Sequence, residues 1–198
     1  MKRISAITAI SILTLTLPAF AQTLTWGDVE TPVRSEQFIQ LNEEAQTGYS
    51  FGTMHASAHL NGRSDSQIAC IAEQSEQFVE LAKRTPAGST IVTNAVDLTV
   101  ENCDESSNGA GNALSVSEIA ELDFRNEYPN GWIGYIVGIS DFLHFQAYAA
   151  LGGEKADCMS NAVFPWLGRD VSDPTEWTST PEMLFAELVI SEAIGACE

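Results

Sequence analysis

One set of seven residues occurs twice in this chain, in the same order. In each copy a Phe is followed by nine residues and Gly-Tyr, then by two residues and a Gly. A Cys comes 17 or 19 residues later, a Pro follows after 15 more, and a second Cys ends the copy. The copies comprise Phe38, Gly48, Tyr49, Gly52, Cys70, Pro86 and Cys103, and Phe124, Gly134, Tyr135, Gly138, Cys158, Pro174 and Cys197. Such self-similarity indicates a duplicated structural unit.

The repeat divides the chain into segments. We predict a first helical repeat at residues 35–103 and a second at residues 115–198. A polar, Gly-rich linker at residues 104–114 joins them, because clusters of Asp, Asn, Ser and Gly are typical of loops. Residues 22–34 form an N-terminal extension.

The repeat also selects among the cysteine pairings. Four cysteines allow three pairings, and sequence alone does not choose among them. If each repeat is one unit, Cys70 pairs with Cys103 and Cys158 with Cys197. The chain has neither a Cys-x-x-Cys redox pair nor a four-cysteine zinc spacing, so we interpret both bridges as structural.

The N-terminus has the three parts of a secretory signal. Lys2 and Arg3 precede an apolar run at residues 4–17, and a small-x-small sequence ends at Ala21 after Pro18. The run is shorter than the roughly 20 residues that span a bilayer. We therefore predict a signal peptide at residues 1–21, a periplasmic or secreted mature chain, and no membrane insertion after cleavage.

The mature chain is strongly acidic. Loss of Lys2 and Arg3 leaves seven basic residues against 27 acidic ones, a net charge of −20. Nucleic-acid binding needs clustered Lys and Arg to contact phosphates, and this chain has no such cluster. The charge favours a cationic protein partner or, alternatively, serves solubility alone.

Local signals mark several helices. A capping box at Ser64 and Gln67 opens a stretch of helical apolar spacing that ends with Lys83 and Arg84 ahead of Pro86. We predict one helix over these residues.

Three more helices are predicted in the second half. A capping box starts one at Ser115, residues 132–151 form another that stops at Gly152, and the last runs from Pro181 to Gly195. Residues 90–100 are rich in β-branched residues, which favour strand. Their counterpart in the second repeat is strongly helical, so we predict helix there too and an all-α fold: two tandem helical repeats, each stapled by one disulfide and packed together.

The Gly-Tyr-x-x-Gly motif has two interpretations. Tyr49 and Tyr135 are candidate ligand contacts. The motif is more typical of close helix packing, because glycines let backbones approach, while a mid-helix Gly costs about 1 kcal/mol relative to Ala. The structural motif comprises Gly48, Tyr49, Gly52, Gly134, Tyr135 and Gly138.

Candidate reactive groups are few. His55 and His59 lie four residues apart and share a helix face, which makes them weak metal-ligand candidates, because two ligands alone do not define a zinc site. Asp141 occupies the repeat-equivalent position of His55. The chain contains no Gly-x-Ser-x-Gly elbow, His-Glu-x-x-His motif or phosphate loop. We expect a non-enzymatic protein with no cofactor and no catalytic residue.

The second repeat resembles a known family. Residues 132–141, Cys158, Pro174 and the apolar helix before Cys197 are similar to the type VI secretion amidase immunity (Tai) family. The resemblance implies a small, helical, disulfide-bonded periplasmic protein that neutralises a peptidoglycan-cleaving effector by binding it. A weaker resemblance, to HdeA-type periplasmic acid-stress chaperones, implies instead a protein that holds unfolded clients at low pH. A third interpretation, an enzyme, is the least favoured because no nucleophile or metal motif is present.

Overall fold

A computed structural model describes residue 27, residues 29–64, residue 67, residue 70, residues 73–95, residue 103 and residues 114–198. Among the described residues, the helices with defined bounds are α1 (Ser35–Phe38), α2 (Glu43–Leu60), α3 (Ser75–Arg84), α4 (Val116–Glu121), α5 (Phe124–Glu127), α6 (Pro129–Leu151), α7 (Gly153–Val163) and α8 (Phe185–Gly195). Gln67, Cys70 and residues 93–95 are helical as well. Short 3₁₀ helices, Phe164–Leu167 and Pro174–Glu176, lie between α7 and α8. These residues form no sheet, and their two β-bridges are isolated. The predicted all-α class is confirmed.

The two longest helices begin and end at residues suited to those positions. Asn42 caps α2, because its side chain accepts a hydrogen bond from the Ala45 N–H at 2.8 Å. Helix α6 begins with Pro129 in its first turn and stops before Gly152, whose φ of +89° favours glycine. The predicted stop of this helix is therefore confirmed.

Helices α2 and α6 cross at unusually short range through their glycines. A Cβ added to Gly48 would lie 2.0 Å from the Gly131 carbonyl oxygen, and one added to Gly52 would lie 2.0 Å from that of Tyr135. From the other side, a Cβ on Gly138 would lie 2.4 Å from the Tyr49 carbonyl oxygen. The contacts advance together along both helices, so α2 and α6 run parallel and their N-terminal ends share one end of the molecule.

The remaining elements surround this pair and share one apolar core with it. The core joins buried side chains from both predicted repeats, including Phe38, Met54, Phe78, Ile91, Trp132, Phe142, Trp166 and Phe185. The residue before α1 and the residue before α4 each form an isolated β-bridge to a later residue. Arg34 bridges to Thr90, and Ser115 bridges to Leu184. The arrangement is alike in the two halves, while the duplication itself stays a prediction.

Both predicted disulfides are present. Cys70 is bonded to Cys103 and Cys158 to Cys197, at sequence separations of 33 and 39. Disulfides persist in oxidising compartments, so the bridges indicate a non-cytoplasmic protein. Within the described ranges, no helix is both long and apolar enough to cross a membrane.

Removing the second bridge is expected to destabilise the protein strongly. Replacing Cys158 and Cys197 together by Ser frees the chain between α7 and the end of α8. The added entropy of the unfolded state lowers the free energy of unfolding by about 4 kcal/mol for a loop of this length. Guanidinium unfolding followed by circular dichroism measures the loss. A change below about 1 kcal/mol would contradict the assigned role.

Two helix boundaries differ from the sequence prediction. A single continuous helix from Ser64 to Arg84 is wrong, because the turn at Glu73 and Gln74 separates the helical residues Gln67 and Cys70 from α3, which begins at Ser75. The last helix does not start at Pro181.

The later start of α8 has a tertiary cause. The carbonyl oxygens of Pro181 and Met183 accept hydrogen bonds from the N–H groups of Ser117 and Val116, while the Met183 N–H closes a turn on Thr180, so these residues do not continue as helix. The capping box at Ser115, in contrast, is confirmed by reciprocal bonds between Ser115 and Glu118.

Several predictions fall outside the described residues. These are the signal peptide, the linker apart from Leu114, residues 65 and 66 of the predicted capping region, and residues 96–100 of the ambiguous segment.

Candidate functional site

The two tyrosines of the Gly-Tyr-x-x-Gly motifs connect α2 to α6 through two buried side-chain contacts. The Tyr49 hydroxyl donates to the Asp141 carboxylate at 2.7 Å, and the Tyr135 hydroxyl lies 3.0 Å from Nδ1 of His55. Each tyrosine therefore reaches the residue six positions after the other tyrosine. Two helices related by a twofold axis would make this exchange.

Asp141 is a carboxyl group held almost entirely away from water. Its side chain is 1% exposed, and Oδ2 accepts from both the Val33 N–H at 2.6 Å and the Tyr49 hydroxyl. Oδ1 is buried without a hydrogen-bond partner. Burial raises the pKa of Asp141 from 3.8 to about 7, although the two hydrogen bonds lower it. Burial and the nearby Asp141 charge in turn raise the pKa of Tyr49.

His55 is the corresponding base in the same interface. It is fully buried, and burial lowers its pKa from 6.5 to about 3, so the ring is neutral at pH 7. Tyr135, whose pKa burial raises, receives a backbone hydrogen bond from Ala186 and so donates its own proton to Nδ1. Nε2 then carries the ring proton, and this atom is buried without a partner.

The other two histidines lie apart from this pair. His59 Nδ1 is 3.9 Å from Glu187 on α8, and His144 Nε2 is 3.1 Å from Asp157 on α7. His55 points into the core while His59 is partly exposed, so the structure does not bring them together. Among the described residues, no group of three His, Cys, Asp or Glu side chains is placed to hold a metal ion.

A cleft of about 960 Å³ opens where the N-terminal ends of α2 and α6 meet. Its apolar lining includes Phe51 of α2, Phe124 of α5 and Leu114, which lies just before α4. The carboxylates of Glu43, Glu44 and Glu73 also line it. In the described part of the chain its lining comprises Asn42, Glu43, Glu44, Thr47, Gly48, Phe51, Glu73, Leu114, Phe124, Tyr128 and Gly131. Tyr128 is 50% exposed although its ring packs against Phe124 at 5.7 Å.

The cleft exists because of the close helix crossing. Gly48 and Gly131 bring the backbones together without side chains to fill the space above them. Glu44 then crosses from α2 to α6, where its Oε1 accepts from the Gly131 N–H at 2.9 Å, one of the N–H groups in the first turn of α6 that lack a partner within the helix.

Sequence reasoning found part of this site only. Phe124 belongs to the repeat motif, but Phe51, Glu73 and Tyr128 were not singled out. The adjacent Glu43 and Glu44 follow the Asn42 cap, where acidic residues ordinarily complement the helix dipole. Nothing local indicates that Glu73 comes to the same opening.

Fold and site together define an all-α protein, stapled by two disulfides, with an acidic cleft at one end. Comparison with models of protein families, with curated proteins and with solved structures gave no match.

Proposed function

We propose that this chain is a non-enzymatic binding protein of the periplasm or the extracellular space, which inhibits a peptidoglycan amidase effector by binding it. The observation that carries the proposal is the cleft at the N-terminal ends of α2 and α6. Its volume of about 960 Å³ and its open, partly apolar lining are suited to a side chain or a short segment of another protein.

The strongly perturbed titratable groups have a structural explanation that needs no catalytic role. Strongly shifted pKa values often mark active sites, but structural burial produces them as well. Asp141 and His55 are at most 1% exposed and contact tyrosine hydroxyls across α2 and α6. A substrate has no access to either group in this packing, so we assign both to the helix interface.

The inhibitor function is tested with the mature chain, residues 22–198 with both disulfides formed, and a purified peptidoglycan amidase encoded beside its gene. We expect a complex of one inhibitor to one amidase at neutral pH and loss of peptidoglycan hydrolysis on binding. The reduced chain is the control. Undiminished hydrolysis with a saturating excess of the folded chain would overturn the inhibitor proposal.

Buried His55 favours a second candidate function, that of an acid-stress chaperone. Protonation of His55 below its lowered pKa places an unpaired charge between α2 and α6. Complete protonation of the 27 carboxyl groups also takes the mature net charge from −20 to +10, with seven basic residues and three histidines. Acid-dependent suppression of aggregation of a denatured enzyme, without an amidase complex at neutral pH, would favour this function over the first.

A further inference from the structure

The cleft at the ends of α2 and α6 is apolar inside and negatively charged around its opening. Phe51 and Phe124 are half-buried, and both line the cavity. Leu114, which is buried, lines it as well. Glu43 and Glu73 stand exposed at the opening. A ligand that matches this lining combines an apolar or aromatic side chain with a positive charge.

The electrostatic balance at the opening is negative in spite of the two helix ends. Each helix N-terminus carries roughly half a positive charge, so α2 and α6 together supply about one. The carboxylates of Glu43, Glu44 and Glu73 supply three negative charges. Cations are therefore attracted to the cleft, although Glu44 also serves α6 through the Gly131 N–H.

The negative surface continues beyond the cleft. A second depression of about 420 Å³ shares Glu43 and Thr47 with the first and adds Glu76 and Glu80 of α3. Lys83 lies there too and pairs with Glu80 at 2.7 Å. The first turns of α2 thus border two adjoining depressions.

A second copy of this chain is a poor occupant. Each mature chain carries a net charge of −20, and two copies meeting at an acidic opening repel each other. An anionic membrane surface is disfavoured for the same reason.

We propose that the cleft binds a segment of a partner protein in which an apolar or aromatic side chain is flanked by lysine or arginine. This rests on the proposed protein-binding role and assigns its contact surface. The apolar side chain enters between Phe51 and Phe124, and the flanking cation pairs with Glu43 and Glu73. A second cation extends over α2 towards Glu76.

The test uses the mature, oxidised chain and a hexapeptide of alternating phenylalanine and lysine, with binding followed by calorimetry at low ionic strength. Two control peptides carry glutamate in place of lysine, or serine in place of phenylalanine. We expect both to bind at least about tenfold more weakly, because one reverses the charge and the other removes the apolar contact.

Matched protein variants locate the binding. Replacing Glu43 and Glu73 together by Gln is expected to weaken the lysine peptide about three- to tenfold, the usual range for two exposed ion pairs. The control replaces Glu154 by Gln and Asp157 by Asn on α7, which removes the same charge. Glu154 lies in the first turn of α7, as Glu43 does in α2, but beyond the opposite end of α6. The control variant should bind as wild type does.

The outcomes separate this inference from the proposed function. Equal binding of the three peptides, no binding, or equal weakening by both pairs of substitutions would overturn the cleft assignment. An amidase complex that forms normally with the Glu43 and Glu73 variant would also overturn it while leaving the inhibitor function intact. Selective peptide binding at the cleft without any amidase inhibition would retain the cleft assignment and reject the inhibitor function.

Discussion

Replacing Gly52 by Ala is expected to destabilise this protein by about 4 kcal/mol or more. The new Cβ would lie 2.0 Å from the backbone oxygen of Tyr135, far inside van der Waals contact. The obstacle on both sides is helix backbone, which does not rotate away as a flexible side chain does. The helices must therefore separate, and the contacts of Tyr49 with Asp141 and of Tyr135 with His55 lengthen with them.

The same substitution at Gly131 provides the control. A Cβ there meets the Glu44 side chain at 3.4 Å and backbone at 3.5 Å, which are ordinary contact distances. Gly131→Ala should leave stability within about 1 kcal/mol of wild type, since Ala is the better helix former. Guanidinium unfolding of both variants measures the difference. Equal stabilities would show that the close crossing of α2 and α6 is not a constraint on the fold.

The second large effect is a pair of opposite pH dependences from the two buried titratable groups. The folded chain holds the Asp141 proton more tightly than the unfolded chain, because burial raises the folded pKa to about 7. The stabilising contribution is therefore complete below pH 3.8 and is lost as the pH rises towards 7. A shift of this size corresponds to about 4 kcal/mol.

His55 acts in the opposite direction. Its folded pKa is lowered to about 3, so its contribution to stability is complete above pH 6.5 and is lost as the pH falls towards 3. For His55 the full change is about 5 kcal/mol. Between about pH 4 and pH 6.5 the two slopes nearly cancel in the wild-type protein.

Single substitutions uncover each slope. Relative to wild type, Asp141→Asn should gain about 3 kcal/mol in unfolding free energy between about pH 4 and pH 7, while His55→Asn should lose about 3 kcal/mol over the same interval. Denaturant unfolding at both pH values provides the measurement, and the comparison with wild type cancels the remaining carboxyl groups. The double variant, in which both groups are absent, should follow the wild-type profile. Parallel profiles for the two single variants would contradict the burial of these groups.

The opposed slopes also bear on the choice between the two proposed functions. An inhibitor that works at neutral pH needs a helix interface that tolerates an ionised Asp141, and the hydrogen bonds from Val33 and Tyr49 provide part of that tolerance. A chaperone activated by acid must lose stability as the pH falls. Protonation of His55 provides that loss below about pH 3.8, where the stabilising contribution of Asp141 no longer changes.

Several features of this protein were determined by the sequence itself. The repeat spacing selected the two cysteine pairs that form, and the helical class followed from apolar periodicity. The Ser115 capping box and the end of α6 at Gly152 were predicted correctly, because both depend on residues within one or two helical turns.

Other features were decided only by the tertiary structure. Helix α8 starts later than predicted because the segment before it pairs with residues 116 and 117, far away in the chain. The exchange of contacts by Tyr49 and Tyr135, the burial of Asp141 and His55, and the meeting of Glu43 with Glu73 at one cleft depend on how α2 crosses α6. Local patterns do not encode that crossing, because its geometry arises from backbone contacts between residues more than 80 positions apart.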